Sequence, residues 1–406
     1  MKTARKIFIF IFLSIIFASQ VSAQKDFQKR LQTKLIMAKE GDVIEIEEGR
    51  FQLSASLSLD DKKNITIRGK GMDRTILSFK GQTEGAEGIK VTNAQNITIE
   101  GLTVQDSKGD GIKTQNVNGI TFKEVKTEWT GKPNKKNGGY GLYPVQCANV
   151  VIDKCVAIGA SDAGIYVGQS KDIVVKNSKA YHNVAGIEIE NSINAEVFEN
   201  EAYHNTGGLL VFDLPDLIQK QGGNIKVFKN KIHDNNFPNF APKGNIVAKV
   251  PDGTGILILA TNNVEVFENE IINNNSVGTG IISYFMTENP IKDEAYYPYP
   301  TGIYIHDNFY QRANVRPTGK GRFGQMFRFK LKFGKEVPHI LYDGIVDPKT
   351  KNENGEIALE SKICIKNNQN QTFANLDAAN NFKNISKDFT PYNCELKQLK
   401  AEKIDK

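Results

Sequence analysis

Three features of the sequence predict an all-β solenoid, a parallel β-helix: a glycine-led strand that recurs at a short interval, a second strand inside the units, and asparagines at one repeat position. Eight segments open with Gly followed by an apolar residue, at Gly88, Gly111, Gly141, Gly164, Gly186, Gly208, Gly255 and Gly280. Four of their seven intervals are 22 or 23 residues, the last is 25, and intervals of 30 and 47 mark insertions. The second strand reads "NITIEGL" from Asn96, "AEVFEN" from Ala195, "NIKVFKN" from Asn224, "NVEVFEN" from Asn263 and "GIYIHDN" from Gly302. Units this short bury a continuous core only when each lies on the next, rung upon rung at about 4.8 Å. The same alignment brings Asn200, Asn230, Asn269 and Asn308 into one column, where stacked amides can hydrogen-bond along the axis.

The elements follow in chain order. Residues 1–23 read as a signal peptide: Lys2, Arg5 and Lys6 precede an apolar run from Ile7 to Ala18, and Val21-Ser22-Ala23 offers a cleavage site. That run is short for a bilayer and no second one follows, so a secreted or periplasmic protein without a membrane span is expected. Removing the segment lowers the formal net charge from +6 to +3, a surplus too weak to suggest a nucleic-acid partner. Residues 24–60 form an N-terminal cap and first rung, with a short amphipathic helix over residues 27–41 covering the exposed strand edges. Residues 61–310 carry the repeats, and residues 311–406 lose them and form an irregular C-terminal cap. Within that cap "KGRFGQMFRFKLKFGK", residues 320–335, is basic and aromatic and reads as a solvated hairpin or as a contact for an anionic polymer. Cys364 and Cys394 are expected to pair in an oxidising compartment. Cys147 and Cys155 stand where other rungs hold Ser, Ala, Asn or Leu, and read as small core residues. A monomer is expected.

The run from Asp162 to Pro215, "DAGIYVGQS" through "NVAGIEIENS" to "NTGGLLVFDLP", resembles the bacterial exported right-handed parallel β-helix repeat proteins of the pectate-lyase-like superfamily. The resemblance extends over most of the chain after residue 23. It implies the right hand of the coil and no particular reaction. A more distant resemblance is to the mannuronan C5-epimerases, whose motif has the form Tyr-Gly-Phe-Asp-Pro-His. Here the frame is Tyr140-Gly141-Leu142-Tyr143-Pro144-Val145. Tyr140, Gly141 and Pro144 match, but Tyr143 takes the Asp position and Val145 the His position. Valine transfers no proton, so that mechanism does not carry over. Related β-helix lyases, by the same resemblance, abstract a proton beside a uronate carboxylate with Lys or Arg, often with Ca²⁺ on that carboxylate. Calcium is the one cofactor so implied. No arginine lies between Arg74 and Arg312, which leaves Lys90 and Lys113 as strand-borne bases of that type.

Strand alternation sorts the first strand of each rung into faces. One outward column reads Lys90, Lys113, Tyr143, Tyr166, Glu188, Leu210, Leu257, and the next Thr92, Gln115, Val145, Gly168, Glu190, Phe212, Leu259. Long inserts flank this face: residues 128–139, which hold Trp129, and residues 236–254 precede their strands, and residues 213–223 and 286–301 follow theirs. Inserts on a solenoid wall its binding surface, here a groove with aromatic side chains suited to a polysaccharide. They are also expected to cover Leu210, Phe212, Leu257 and Leu259. Glu188 and Glu190, two residues apart on one strand face, suit an acid and a base at a glycosidic bond, or are exposed strand glutamates. Asp162 and Asp213 at the rim could orient a sugar, bind Ca²⁺ or make turns. His182 and His204 stack one rung apart, as a proton shuttle or as a turn ladder. Tyr143 and Tyr166 suit sugar contact, and Tyr143 beside Lys113 could donate a proton. Gln169 and Trp129 complete the expected contacts. The sequence therefore points to binding and processing of an acidic envelope or extracellular polysaccharide by elimination or epimerisation. Hydrolysis by Glu188 with Glu190 or Asp213, and non-catalytic binding or envelope assembly, are the alternatives.

Overall fold

A computed structural model describes residues 26–317 and 324–400; the expected signal peptide lies outside them. Eleven first strands, from Ala55–Asp60 to Phe373–Asn375, form one parallel sheet, and the remaining paired strands form a second, 19-stranded one that bends round the other two sides of the coil. A representative rung runs Ala185–Glu190, Ile193–Phe198 and Glu201–Tyr203, with Asn191, Glu199 and His204 in the left-handed region at its corners. Inward Ile, Leu and Val of successive rungs pack into one continuous core, for example Ile187 beside Leu209 and Leu209 beside Ile256. A helix over residues 26–37 closes the N-terminal end, burying Leu31 and Leu35 against that core. Among the described residues no helix is long and apolar enough to cross a membrane.

Register is fixed at the corners. Asn200 Nδ2 donates to Asn230 Oδ1 at 3.0 Å, Asn230 to Asn269 at 3.0 Å, Asn269 to Asn308 at 2.9 Å and Asn308 to Asn368 at 2.9 Å. A second ladder of Asn183, Asn205, Asn235 and Asn274 runs along another corner. Its first two members belong to the "AYHN" segments that also hold His182 and His204. Cys147 and Cys155 are buried free thiols, each with its backbone N–H on a serine hydroxyl of the next rung at 3.0 Å; Cys155 leads through Ser178 into the Asn200 ladder, and Cys147 into a separate column of Ser170 and Ser192.

The glycine column has a steric cause. A Cβ on Gly141 would lie 2.4 Å from the Gly164 carbonyl oxygen, one on Gly208 2.8 Å from that of Gly255, and one on Gly255 2.5 Å from that of Gly278. The last contact corrects the repeat frame. Gly280 pairs with Leu257, so the eighth rung begins at Gly278, and Thr279 takes the inward position with its hydroxyl 2.8 Å from the Tyr310 hydroxyl. The inward apolar rule breaks there, and two glycines two residues apart keep the same face and so disguise the slip.

The coil also continues past residue 310. Ile340–Tyr342 pairs with Val277–Ile282, Ile363–Lys366 with Thr301–His306, and Phe373–Asn375 with Ile340–Tyr342. Excursions between these strands break the period and hid them. A disulfide joins Cys364 to Cys394 and ties the final segment to this end. Residues 324–331 of the basic and aromatic stretch are helical rather than a hairpin, because Phe327 and Leu331, four apart, share a buried face.

Replacing Asn230 by Ala strands buried partners in the preceding rung, the backbone and side-chain amides of Asn200 and the Val197 carbonyl. A loss of about 3 kcal/mol in urea denaturation is expected; a loss below about 1 kcal/mol would show that the ladder does not hold the register.

Candidate active site

The two outward columns stack as sequence alternation predicts, and parallel pairing makes each residue the neighbour of its counterpart. Lys113 lies beside Lys90 and Tyr143, Glu188 between Tyr166 and Leu210, and Glu190 between Gly168 and Phe212. The face is not an open groove along its length. From Tyr166 onward the inserts lie on it, and Phe212, Leu210, Leu257 and Leu259 pack with Val247, Val250, Tyr284 and Tyr296 in a second apolar core. Lys90, Lys113, Tyr140 and Tyr143 remain partly exposed on the N-terminal half.

Where the covered half begins, carboxyls converge. Glu188, Glu190 and Asp162 keep only 1%, 7% and 5% of their surface, which corrects the expectation of exposed strand glutamates. Glu190 Oε1 accepts from the Tyr166 hydroxyl at 2.6 Å. Glycine makes that bond sterically open: a Cβ on Gly168 would lie 2.1 Å from the Tyr166 hydroxyl, so the bare position lets the ring lie over to the next rung. Asp162 Oδ2 accepts from Asn245 Nδ2 at 2.6 Å, and the Tyr140 hydroxyl also hydrogen-bonds it. Glu188 Oε2 is buried without a partner. Asp110, on the N-terminal side, accepts from the Tyr140 backbone N–H at 3.2 Å. The rings of Tyr140, Tyr143 and Tyr166 meet at 4.4 to 5.0 Å, and Lys113 Nζ sits 4.9 Å from the Tyr143 ring centroid, on its face.

Burial raises the pKa of every carboxyl named in this cluster and of Tyr143. Burial pushes Glu190 up to about 7, the Tyr166 hydrogen bond opposing and the Asp162 charge adding. Burial likewise brings Asp162 to about 7, against its bond from Asn245 and with help from Asp110. Glu188 lies well above the ordinary carboxylate range through burial first, then the charges of Asp162 and Glu190. Asp110 reaches about 6 through burial, and Tyr143 about 12 through burial and then Asp110, Glu190 and Asp162. Such a cluster can give a proton from one member while another is ionised.

Other expected contacts serve the walls. Trp129 is buried, its indole N–H donating to the Ser107 carbonyl at 2.8 Å, so it braces an insert and offers no ring to a ligand. Gln169 Oε1 accepts from the Ile218 N–H at 3.0 Å and so anchors the insert over residues 213–223. Asp213 holds the same insert by accepting from the Gly222 N–H at 2.8 Å, and lies beneath it, buried and well above its ordinary pKa. His182 stacks on His204 with centroids 6.0 Å apart and touches Phe237, a turn ladder on another corner. Tyr166, almost wholly buried, is a partner of Glu190 and not an exposed platform. Among the described residues no three of His, Cys, Asp and Glu are placed to hold a metal ion.

Sequence reasoning missed Asp110, Tyr140 as a site residue, and Asn245. The first two belong to a third outward column, the residue before each glycine: Glu87, Asp110, Tyr140, Ala163, Ala185. Its drop from acid and aromatic to Ala marks where the inserts descend. Nothing local signals Asn245, whose contact is 83 residues away in sequence.

The family model for a right handed beta helix region matches residues 63–215 and 134–293, more than half of the chain. The chain belongs to this family. Among solved structures it is similar to the A-modules of two Azotobacter vinelandii mannuronan C-5 epimerases. For AlgE4 the identity is 15% and the TM-score 0.51, over 81% of this chain and 86% of that one. For AlgE6 the identity is 14% and the TM-score 0.51, over 86% and 91%. An alginate lyase from Paenibacillus sp. is also similar, at 15% identity, TM-score 0.39, and 71% and 94% coverage. No curated protein matches the sequence. At such identities the likeness to the epimerases shows the fold alone. Val145, at the motif's His position, lies buried between Gln115 and Gly168.

Because Glu190 titrates near 7 when folded and near 4.5 when unfolded, the folded chain binds the extra proton between those values. Its share of stability is complete below the lower value and disappears as pH rises through the upper. Urea denaturation is expected to show stability falling by on the order of 2 to 3 kcal/mol from pH 5 to pH 8. Glu190→Gln should flatten that fall, and an equally steep fall in the variant would show that Glu190 is not its source.

Proposed function

We propose that the protein is a glycan-processing enzyme that hydrolyses glycosidic bonds of an acidic polysaccharide outside the cytoplasm. The observation that carries this reading is the convergence of Asp162, Glu188 and Glu190, buried and shifted toward neutrality, beside a strip of tyrosines. Glu188, which keeps its proton, is the general acid. Glu190 or Asp162, each near 7, is the base once ionised. Lys90 and Lys113, neighbours on the exposed half of the face, suit the carboxylates of incoming sugar units, and Tyr140 and Tyr143 suit their ring faces. Glu188 is closed to solvent, so turnover requires the insert that carries Asn245 to lift and reclose, which excludes bulk water.

Elimination or epimerisation of a uronate is the second reading, favoured by Lys113 on the exposed half next to Tyr143. Against it, Lys113 meets the ring face of Tyr143, and burial pushes that phenol up to about 12, which suits a proton donor better than a base.

Purified protein incubated with uronate and neutral glycans should release reducing ends without an unsaturated product; unsaturated product would favour elimination. Glu188→Gln should lower hydrolysis at least about 100-fold with the fold unchanged, and an active variant would remove Glu188 from the mechanism. Rate should climb with pH through neutrality as the base ionises. Since the Tyr166 bond holds the Glu190 value down, Tyr166→Phe should move that limb upward by about one pH unit. An unmoved limb would assign the base to Asp162.

A further inference from the structure

The two outward columns do not end at the acids. Beyond Glu188 the first runs Leu210, Leu257, Gly280 and Leu341, and beyond Glu190 the second runs Phe212, Leu259 and Ile282. Together with Met286, Phe327 and Leu376 the far members of both columns enclose a cavity of about 60 Å³. Its walls are almost entirely carbon. Such a space could hold water by size, yet it offers too few polar partners to keep any, and dry apolar cavities take apolar guests. Lys249, at its edge, already donates to the Thr287 carbonyl and the Asn289 side chain. Gly280 interrupts a column of leucines at the cavity wall, and neighbouring methyls lean over it: a Cβ there would lie 2.8 Å from Leu257 Cδ1 and 3.1 Å from Val277 Cγ1. The strand does not need this glycine for a left-handed backbone, since its φ is not positive.

We propose that this cavity receives the hydrocarbon chain of an acylated or lipid-linked glycan, so that the substrate is a glycolipid rather than a bare polysaccharide. The glycan part rests on the hydrolase reading above. Continuity commits the occupant: Phe212, which lines the cavity, pairs directly with Glu190. A sugar at the acids therefore has its next substituent, one or two rungs of about 4.8 Å along the axis, against carbon. A free fatty acid suits the place poorly, because its carboxylate would lie toward Glu188 and Glu190.

Calorimetric titration with octyl glucoside below its micelle concentration, and with decanoate, tests this on the intact protein. Saturable one-to-one binding of octyl glucoside is expected, with decanoate at least about tenfold weaker. Gly280→Ile, whose side chain displaces the Leu257 and Val277 methyls that line the cavity, should weaken octyl glucoside at least about tenfold, the equivalent of two buried methylenes. Ile282→Gln, at a partly exposed wall position, should weaken it in the same direction should the first variant not fold. No binding to the wild-type protein, or equal binding by both wall variants, overturns the site. Decanoate binding as tightly as octyl glucoside overturns the glycolipid assignment. Hydrolysis of glycans without octyl glucoside binding removes the chain site alone, and octyl glucoside binding without hydrolysis of any glycan removes the glycolipid along with the hydrolase reading.

Discussion

Parallel pairing at a fixed rung height is the constraint on which the rest of this molecule depends. It gives each side chain no choice of neighbour: whatever a rung presents outward must lie about 4.8 Å from the equivalent residue above and below. Inside, that rule is met by like on like, with Ile, Leu and Val in the core and Asn or Ser at the corners. The glycine column belongs to the same rule, because successive backbones approach too closely there for any Cβ. Outside, the rule is what brings chemistry together. Glu188 is held against Tyr166 and Leu210, and Glu190 against Gly168 and Phe212, by the ladder rather than by any affinity of their own.

Carboxyls crowded in this way and sealed by inserts cannot all be ionised. Desolvation disfavours each charge, and every neighbour that ionises raises the rest. The chain answers by leaving protons on and by supplying a few hydrogen bonds, from Tyr166 to Glu190 and from Asn245 and Tyr140 to Asp162. A neutral, partly unsatisfied acid such as Glu188 contributes nothing to a solenoid that could have placed Leu there, as the next rung does. The arrangement makes sense as chemistry held ready, with the apolar rungs beyond it shaping what the substrate carries.

Much of this was legible before any coordinates. Rung spacing, the inward Ile and Leu, the Asn200 to Asn308 column and both outward columns follow from period and alternation alone. Three things were not. Thr279 violated the inward apolar rule and shifted the eighth rung by two residues, a slip that alternation cannot detect. Strands after residue 310 were hidden by irregular excursions, since a period needs consecutive units. Burial of the site depends on where inserts fold back, and neither the cover over Glu188 nor the reach of Asn245 leaves a local trace. That is why Tyr166, Gln169 and Trp129 were expected to face a ligand and instead face the protein.

The protonation of the cluster is the physical claim beneath every functional statement, and carboxyl carbon-13 NMR on protein labelled at Asp and Glu measures it directly. Wild type and Glu188→Gln would be followed from acid to mildly alkaline pH, with Glu190→Gln and Asp162→Asn to assign the signals. At least two carboxyls titrating near 7 are expected, with a third, lost in Glu188→Gln, still protonated above them. Titration of every carboxyl in the ordinary range, about 3 to 5, would contradict the cluster and with it the acid and base roles assigned to these residues.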